Sequence, residues 1–200
     1  MMILCPKPHN KNPMQESVPP QAGKVLISDP FLPDANFNRT VILLLEHNEH
    51  GTFGLVLNHK LESALSDVLD DLPSGKSVPL FKGGPVQLDT LHYIHLGPSI
   101  LPGAKEVIPG LFWGGDFDMV KMQVSLGMAH SGNFRFFLGY SGWGDGQLDK
   151  EIEEGSWIVS SINPSDLFEL DSQSLWKKCM LRLGGEYALL ANAPGNPHWN

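Results

Sequence analysis

The stretch VILLLE-HNEHG-TFGLVLN, residues 41–58, restricts the fold more than any other part of this chain. Two runs of β-forming residues flank a short polar turn that contains Gly51, which is the pattern of a β-hairpin. A hairpin makes antiparallel neighbours, so a purely parallel, doubly wound sheet is disfavoured from the outset. Further strands are expected in GKVLIS (23–28), SVPLF (77–81), TLHYIHL (90–96), NFRFFLGY (133–140) and SWIVSSI (156–162). Strand alternation puts Phe134, Phe136, Leu138 and Tyr140 on one face.

Helical signals fall between these strands at irregular intervals. Leu61, Ala64, Leu65, Val68, Leu69 and Leu72 recur at three and four, predicting an amphipathic helix closed by Pro73. Asp116 is placed to cap a helix that runs to Leu126 and stops at Gly127. A short acidic helix is expected over residues 149–154, and a last one from Ser174 to Leu183, ended by Gly184. The irregular alternation predicts an α+β fold with a mixed sheet. Residues 1–22 carry five prolines among polar residues and read as a mobile tail; residues 23–200 read as one domain.

Composition narrows the function. The formal charge is −8, with 14 basic against 22 acidic residues. Nucleic-acid affinity rests mainly on Lys and Arg displacing counterions, so direct DNA binding is disfavoured. No apolar run approaches the ~20 residues of a membrane helix. The apolar run before Cys5 is too short for a signal peptide and has no basic segment ahead of it. Two cysteines are too few for a disulfide framework or a four-cysteine zinc site, and the chain is expected to be cytosolic.

The glycine-rich segment FLGYSGWGDGQLDKEIEEGSW (137–157) invites four chemical readings, and spacing tests each. The dinucleotide pattern G-x-G-x-x-G begins at Gly142 and Gly144 but meets Gln147 in its third place, and no phosphate-loop triplet occurs. Ser141 resembles a nucleophile elbow, but Trp143 stands where the second glycine belongs, and only His198 follows among the histidines. An EF-hand register would put Ile152 in place of the bidentate glutamate. His92 and His95, three apart in a strand, face opposite ways and cannot chelate together. His47 and His50, with Glu49, make a feasible but weak metal site in the hairpin turn. Asp145, Asp149, Glu151, Glu153 and Glu154 offer material for an acid/base pair, but nothing nominates a partner electrophile and the cluster reads as a solvated helix face. No catalytic residue, metal or cofactor is expected.

Three blocks nevertheless resemble a known bacterial family, YqgE/AlgH: GKVLISDPFLPDANFNRTVILLLEHNEHGTFGLVLNH, FKGGPVQLDTLHYIH and LGYSGWGDGQLDKEIEEGSWI. The resemblance covers nearly everything after Ala22. It departs at Lys60, where the family usually has proline, and at Ser141, where it commonly has alanine. It implies an α+β fold with a bifurcated sheet, a small barrel-like portion and surrounding helices. It implies no established activity, although a regulatory link and the label of transcriptional regulator attach to relatives.

Two readings of the glycine-rich segment follow. In one it is a rigid strand–turn–helix corner packed by Trp143 and Trp157. In the other, Tyr140, Trp143 and Gln147 line a groove with Arg39, Glu46, His47, Asn58 and His95, while Gly83 and Gly84 supply open backbone. Arg39 and Glu46 are alternatively an internal ion pair, and Asn58 a turn acceptor. The groove would take a protein partner or a small ligand in a regulatory role. An enzyme, such as a hydrolase using His47 or His95, requires these side chains to converge in a concave pocket.

Overall fold

A computed structural model describes residues 18–69, 72, 78–97, 101–169 and 171–192. Most of the expected N-terminal tail, Pro73 and the C-terminal segment with His198 lie outside the described residues. The chain forms strands β1 (Val25–Ser28), β2 (Val41–Asn48), β3 (Gly51–Val56), β4 (Lys60–Ala64), β5 (Pro79–Lys82), β6 (Val86–Leu96), β7 (Lys105–Ile108), β8 (Leu111–Trp113), β9 (Phe134–Trp143) and β10 (Trp157–Ser160). The helices are α1 (Phe117–Leu126), α2 (Gln147–Glu153), α3 (Pro164–Glu169), α4 (Ser172–Leu183) and α5 (Gly185–Leu190).

The sheet runs β10-β1-β2-β3-β9-β6-β8-β7, with β5 and β4 branching from β9. It is mixed, because β5 lies parallel to β9 while the other described pairs are antiparallel. The branch point is β9 itself. Residues 136–138 pair with β5, residues 141–143 with β3, and residues 134–140 with β6. The barrel-like portion implied by the family resemblance is not closed: β10 and β7 end the path without pairing to each other.

Three apolar clusters sort the layers. The largest joins one face of β1, β2, β3 and β9 to Leu167, Leu175, Trp176, Cys179 and Met180 of α3 and α4. On the other face, α1 covers the β5–β6–β9 branch through Val120 and Val124. Leu148 of α2, with Trp143 and Trp157, covers the β1–β2–β3 branch. Strand β2 is therefore buried on both sides, which is why VILLL is a continuous apolar run.

Local chemistry explains most elements. Asp116 accepts a hydrogen bond from the Met119 amide at 3.0 Å and starts α1, and Gly127 ends it in a left-handed conformation (φ 75°). The helix expected over 61–72 does not form among the described residues. Residues 60–64 extend as β4 against β5, and Leu65–Asp67 make one 3-10 turn. The apolar periodicity there marks burial, since Leu65 and Leu72 are inside, but not helix. The Asp67 carboxylate holds the Ala64 amide at 2.7 Å, and the Leu65 amide bonds Val78 O, which ties the segment to its neighbour strand.

A second departure concerns β9. Phe134, Phe136 and Leu138 share the α1 side, but Tyr140 packs with the Phe137 cluster on the other. Gly139 is left-handed (φ 67°), and β6 bulges through residues 87–90 between Val86 and Leu91. The two irregularities reset the alternation.

Candidate functional site

The glycine-rich corner is held from inside by a single carboxylate. Oε2 of Glu151 on α2 accepts from the Trp143 indole at 2.9 Å and from the Trp157 indole at 2.8 Å. Its Oε1 accepts from the Gln147 amide at 2.9 Å, and Gln147 Oε1 in turn accepts from the Gly144 backbone at 3.1 Å. The two indoles meet edge to face at 6.0 Å, and Phe37 packs against both. Thus Trp143, Gln147 and Glu151 form one closed hydrogen-bonded knot, and Glu151 is more than part of a solvated face. Ser141 is fully buried, with its hydroxyl directed to Gly83 O at 3.3 Å, so no reagent reaches it as a nucleophile.

Gly83 and Gly84 are not open backbone. Gly83 sits in the crotch of the fork, donating to Leu138 O at 2.7 Å and accepting from the Val56 amide at 2.8 Å. A Cβ at Gly83 would lie 2.2 Å from Gly139 O, and one at Gly84 would lie 2.1 Å from Tyr140 O. These glycines exist so that β9 can pass.

The polar candidates disperse. His95 is fully buried between the stacked rings of Phe112 and Phe134. Its Nε2 donates to Gly114 O at 3.2 Å, and Nδ1 has no hydrogen bond among the described residues. Burial lowers its pKa, so it is held neutral. His47 stays on the hairpin, its Nδ1 2.7 Å from the Thr52 hydroxyl. Arg39 and Glu46 do not pair: Glu46 reaches Lys105 at 2.8 Å, and the Arg39 guanidinium lies 5.0 Å above the Trp176 ring. Asn58 accepts from the Val41 amide and donates to Arg39 O, both at 2.9 Å, which makes it a strand-end brace. His92 falls on the face opposite His95, as their spacing predicts, and burial lowers its pKa also. No group of three or more His, Cys, Asp or Glu suited to a metal occurs among the described residues.

Three of the ten candidates do share a concavity. An open, shallow groove of about 440 Å³ runs between the β2–β3 hairpin and β9. Glu46, Phe53, Val86, Tyr140, Gly142 and Trp143 line it together with hairpin residues 48 and 50–52. Register builds it: Phe53 lies across from both Glu46 and Gly142, and Val86 across from Tyr140. Phe53 stacks on Tyr140 at 4.5 Å, and His92 and Trp113 each approach Phe53 at 5.3 Å. All four rings are only partly buried. Phe53 was not singled out by sequence, because the TFGLVLN alternation shows a face and not which strand lies beside it.

The comparisons agree with this architecture. The AlgH-like family model matches residues 25–188. A UPF0301 protein of Chlorobium phaeobacteroides is 41% identical over 180 residues, 90% of this chain and 96% of its own. A UPF0301 protein of Bacteroides thetaiotaomicron is 40% identical over 184 residues, 92% and 93% of the two chains. The solution structure of the AlgH protein from Pseudomonas aeruginosa matches with a TM-score of 0.70 at 30% identity, covering 92% of this chain and 100% of that one. A crystal structure of a Corynebacterium diphtheriae protein matches with a TM-score of 0.71 at 26% identity, covering 90% and 95%. No helix among the described residues is long and apolar enough to cross a membrane.

Proposed function

Given that this chain belongs to the AlgH-like family, we propose that it is a cytosolic, non-enzymatic binding protein that takes a protein partner in the groove beside the β2–β3 hairpin. The observation that carries the reading is the partly exposed aromatic wall of Phe53 and Tyr140, ending in the Glu46–Lys105 pair. Aromatic surface that stays half open beside charged groups is the usual make-up of a recognition patch. The groove is shallow and open, which suits a side chain or extended segment of a larger partner better than an enclosed metabolite. The dispersal of Arg39, His47 and His95 favours binding over hydrolysis, since an acid–base pair needs its members within hydrogen-bond reach. With 22 acids against 14 bases, regulation exerted through a protein is favoured over operator binding.

Gly142 supplies a specific test. No positive φ holds it to glycine, and a Cβ there would meet the edge of the Tyr140 ring at 3.1 Å, which must give by a few tenths of an ångström, with Thr52 O no closer than 4.0 Å. Gly142→Leu therefore fills the groove without entering a core. Proteins that co-purify with the wild type from the native host, identified by mass spectrometry, are expected to be lost with Gly142→Leu while the variant stays folded, its Tm lowered by no more than a few degrees. Equal recovery by both proteins would sink the assignment of this groove.

A further inference from the structure

At the other end of β9 from the groove, Arg135 is buried, with 6% of its surface exposed. Its guanidinium lies 4.5 Å over the Phe81 ring and 5.9 Å from that of Phe168 on α3. Nη1 donates to Leu57 O at 2.8 Å. The guanidinium carries five N–H donors. Its other nitrogens make no hydrogen bond among the described residues, yet neither is sealed from solvent.

Buried cations are ordinarily matched by an acid, because removing a charge from water carries a desolvation penalty that a partner offsets. Here no carboxylate of the described residues stands within ion-pair distance. Asp166, on the same helix as Phe168, is committed to Arg182 through both carboxylate oxygens. Burial pushes the Arg135 pKa down to about 10, which still leaves it charged at neutral pH. One carbonyl and a phenyl face compensate the charge only in part. A second cation shares a face with the ring that Arg135 covers: Lys60 is exposed and directly across from Phe81 in the β4–β5 pair.

We propose that Arg135, with Lys60 at the rim, is an oxyanion-binding site that receives a phosphate or carboxylate group of a ligand on the unbonded edge of the guanidinium. A planar fork of N–H donors matches either group with two parallel hydrogen bonds, which an ammonium cannot do. The anion supplies the acidic partner that Arg135 does not find among the described residues.

The test uses the full chain and inorganic phosphate, with acetate as the carboxylate probe and sodium chloride at matched ionic strength as the reference. A saturable rise in Tm of about 2 °C or more is expected for phosphate or acetate over chloride, since a ligand that binds only the native state stabilises it by mass action. Which of the two acts assigns the group. In Arg135→Met the anion-specific rise is expected to vanish, while Tm without anion stays equal to or above that of the wild type, because an uncompensated charge has been removed. The Arg135 side-chain Nε–H resonance of the wild type, followed by NMR, is expected to shift saturably with the same anion. Chloride raising Tm equally, retention of the rise in Arg135→Met, a marked loss of Tm in that variant without anion, or an Nε–H signal unmoved by both probes would each overturn the proposal.

Discussion

Glu151→Ala tests whether the glycine-rich corner is scaffold. The substitution removes the acceptor of two indole N–H groups whose parent residues, Trp143 and Trp157, are 6% and 3% exposed. A buried donor left without an acceptor costs about 1–3 kcal/mol. Glu151 itself is half-buried, so water can enter the vacated space, which places each indole near the lower end of that range. The exposed Gln147 contact adds little. The sum is about 2–3 kcal/mol, or roughly 5–10 °C in Tm for a chain of this size. Glu151→Gln keeps one carbonyl oxygen for the indoles and is expected to lose only about 1 kcal/mol.

Urea unfolding followed by tryptophan fluorescence measures both variants, and a double-mutant cycle with Trp157→Phe separates the hydrogen bond from packing. Removing the indole N–H should cost about 1 kcal/mol less when Glu151 is already Ala than when it is present. A Glu151→Ala protein within about 0.5 kcal/mol of the wild type, the ordinary scatter of surface substitutions, would refute the reasoning. So would a Trp157→Phe cost that is the same in both backgrounds.

Three further outcomes are expected. Gly83→Ala should cost about 3 kcal/mol or more, seen as a lowered urea midpoint, because its Cβ would meet Gly139 O at 2.2 Å and backbone cannot swing aside. Ser141→Ala should lose about 1 kcal/mol or less, and a fluorophosphonate probe should leave wild-type Ser141 unlabelled, as expected of a buried hydroxyl bonded to Gly83 O. Stability should fall as pH drops below about 6.5, the ordinary histidine value. Burial lowers the native pKa of His59, His92 and His95, so the unfolded chain binds protons first, and stability present above the ordinary value is lost as pH falls towards the native ones. Urea midpoints between pH 7.5 and 5 measure this, and a flatter slope is expected for His95→Gln.

The sequence by itself determined what local rules control. The β2–β3 hairpin, α1 with its Asp116 cap and Gly127 stop, the opposed His92 and His95, and the Trp143–Trp157 corner all follow from alternation, capping chemistry and spacing within a few residues. The family was legible because three blocks stand in order along one chain. What failed was each inference that needed a distant neighbour. Periodicity over 61–72 marked which side chains go inside, but the edge of β5 decided that residues 60–64 extend rather than coil. Gly83 and Gly84 are identifiable as special, yet only the passage of β9 reveals that their bareness serves strand packing. Glu46 meets Lys105, Glu151 gathers two indoles, and Arg135 has no acid beside it among the described residues, because the register of distant strands and helices sets those distances. Hydrogen-bonded local geometry is encoded residue by residue; partners across a sheet are chosen by how the whole chain closes on its core.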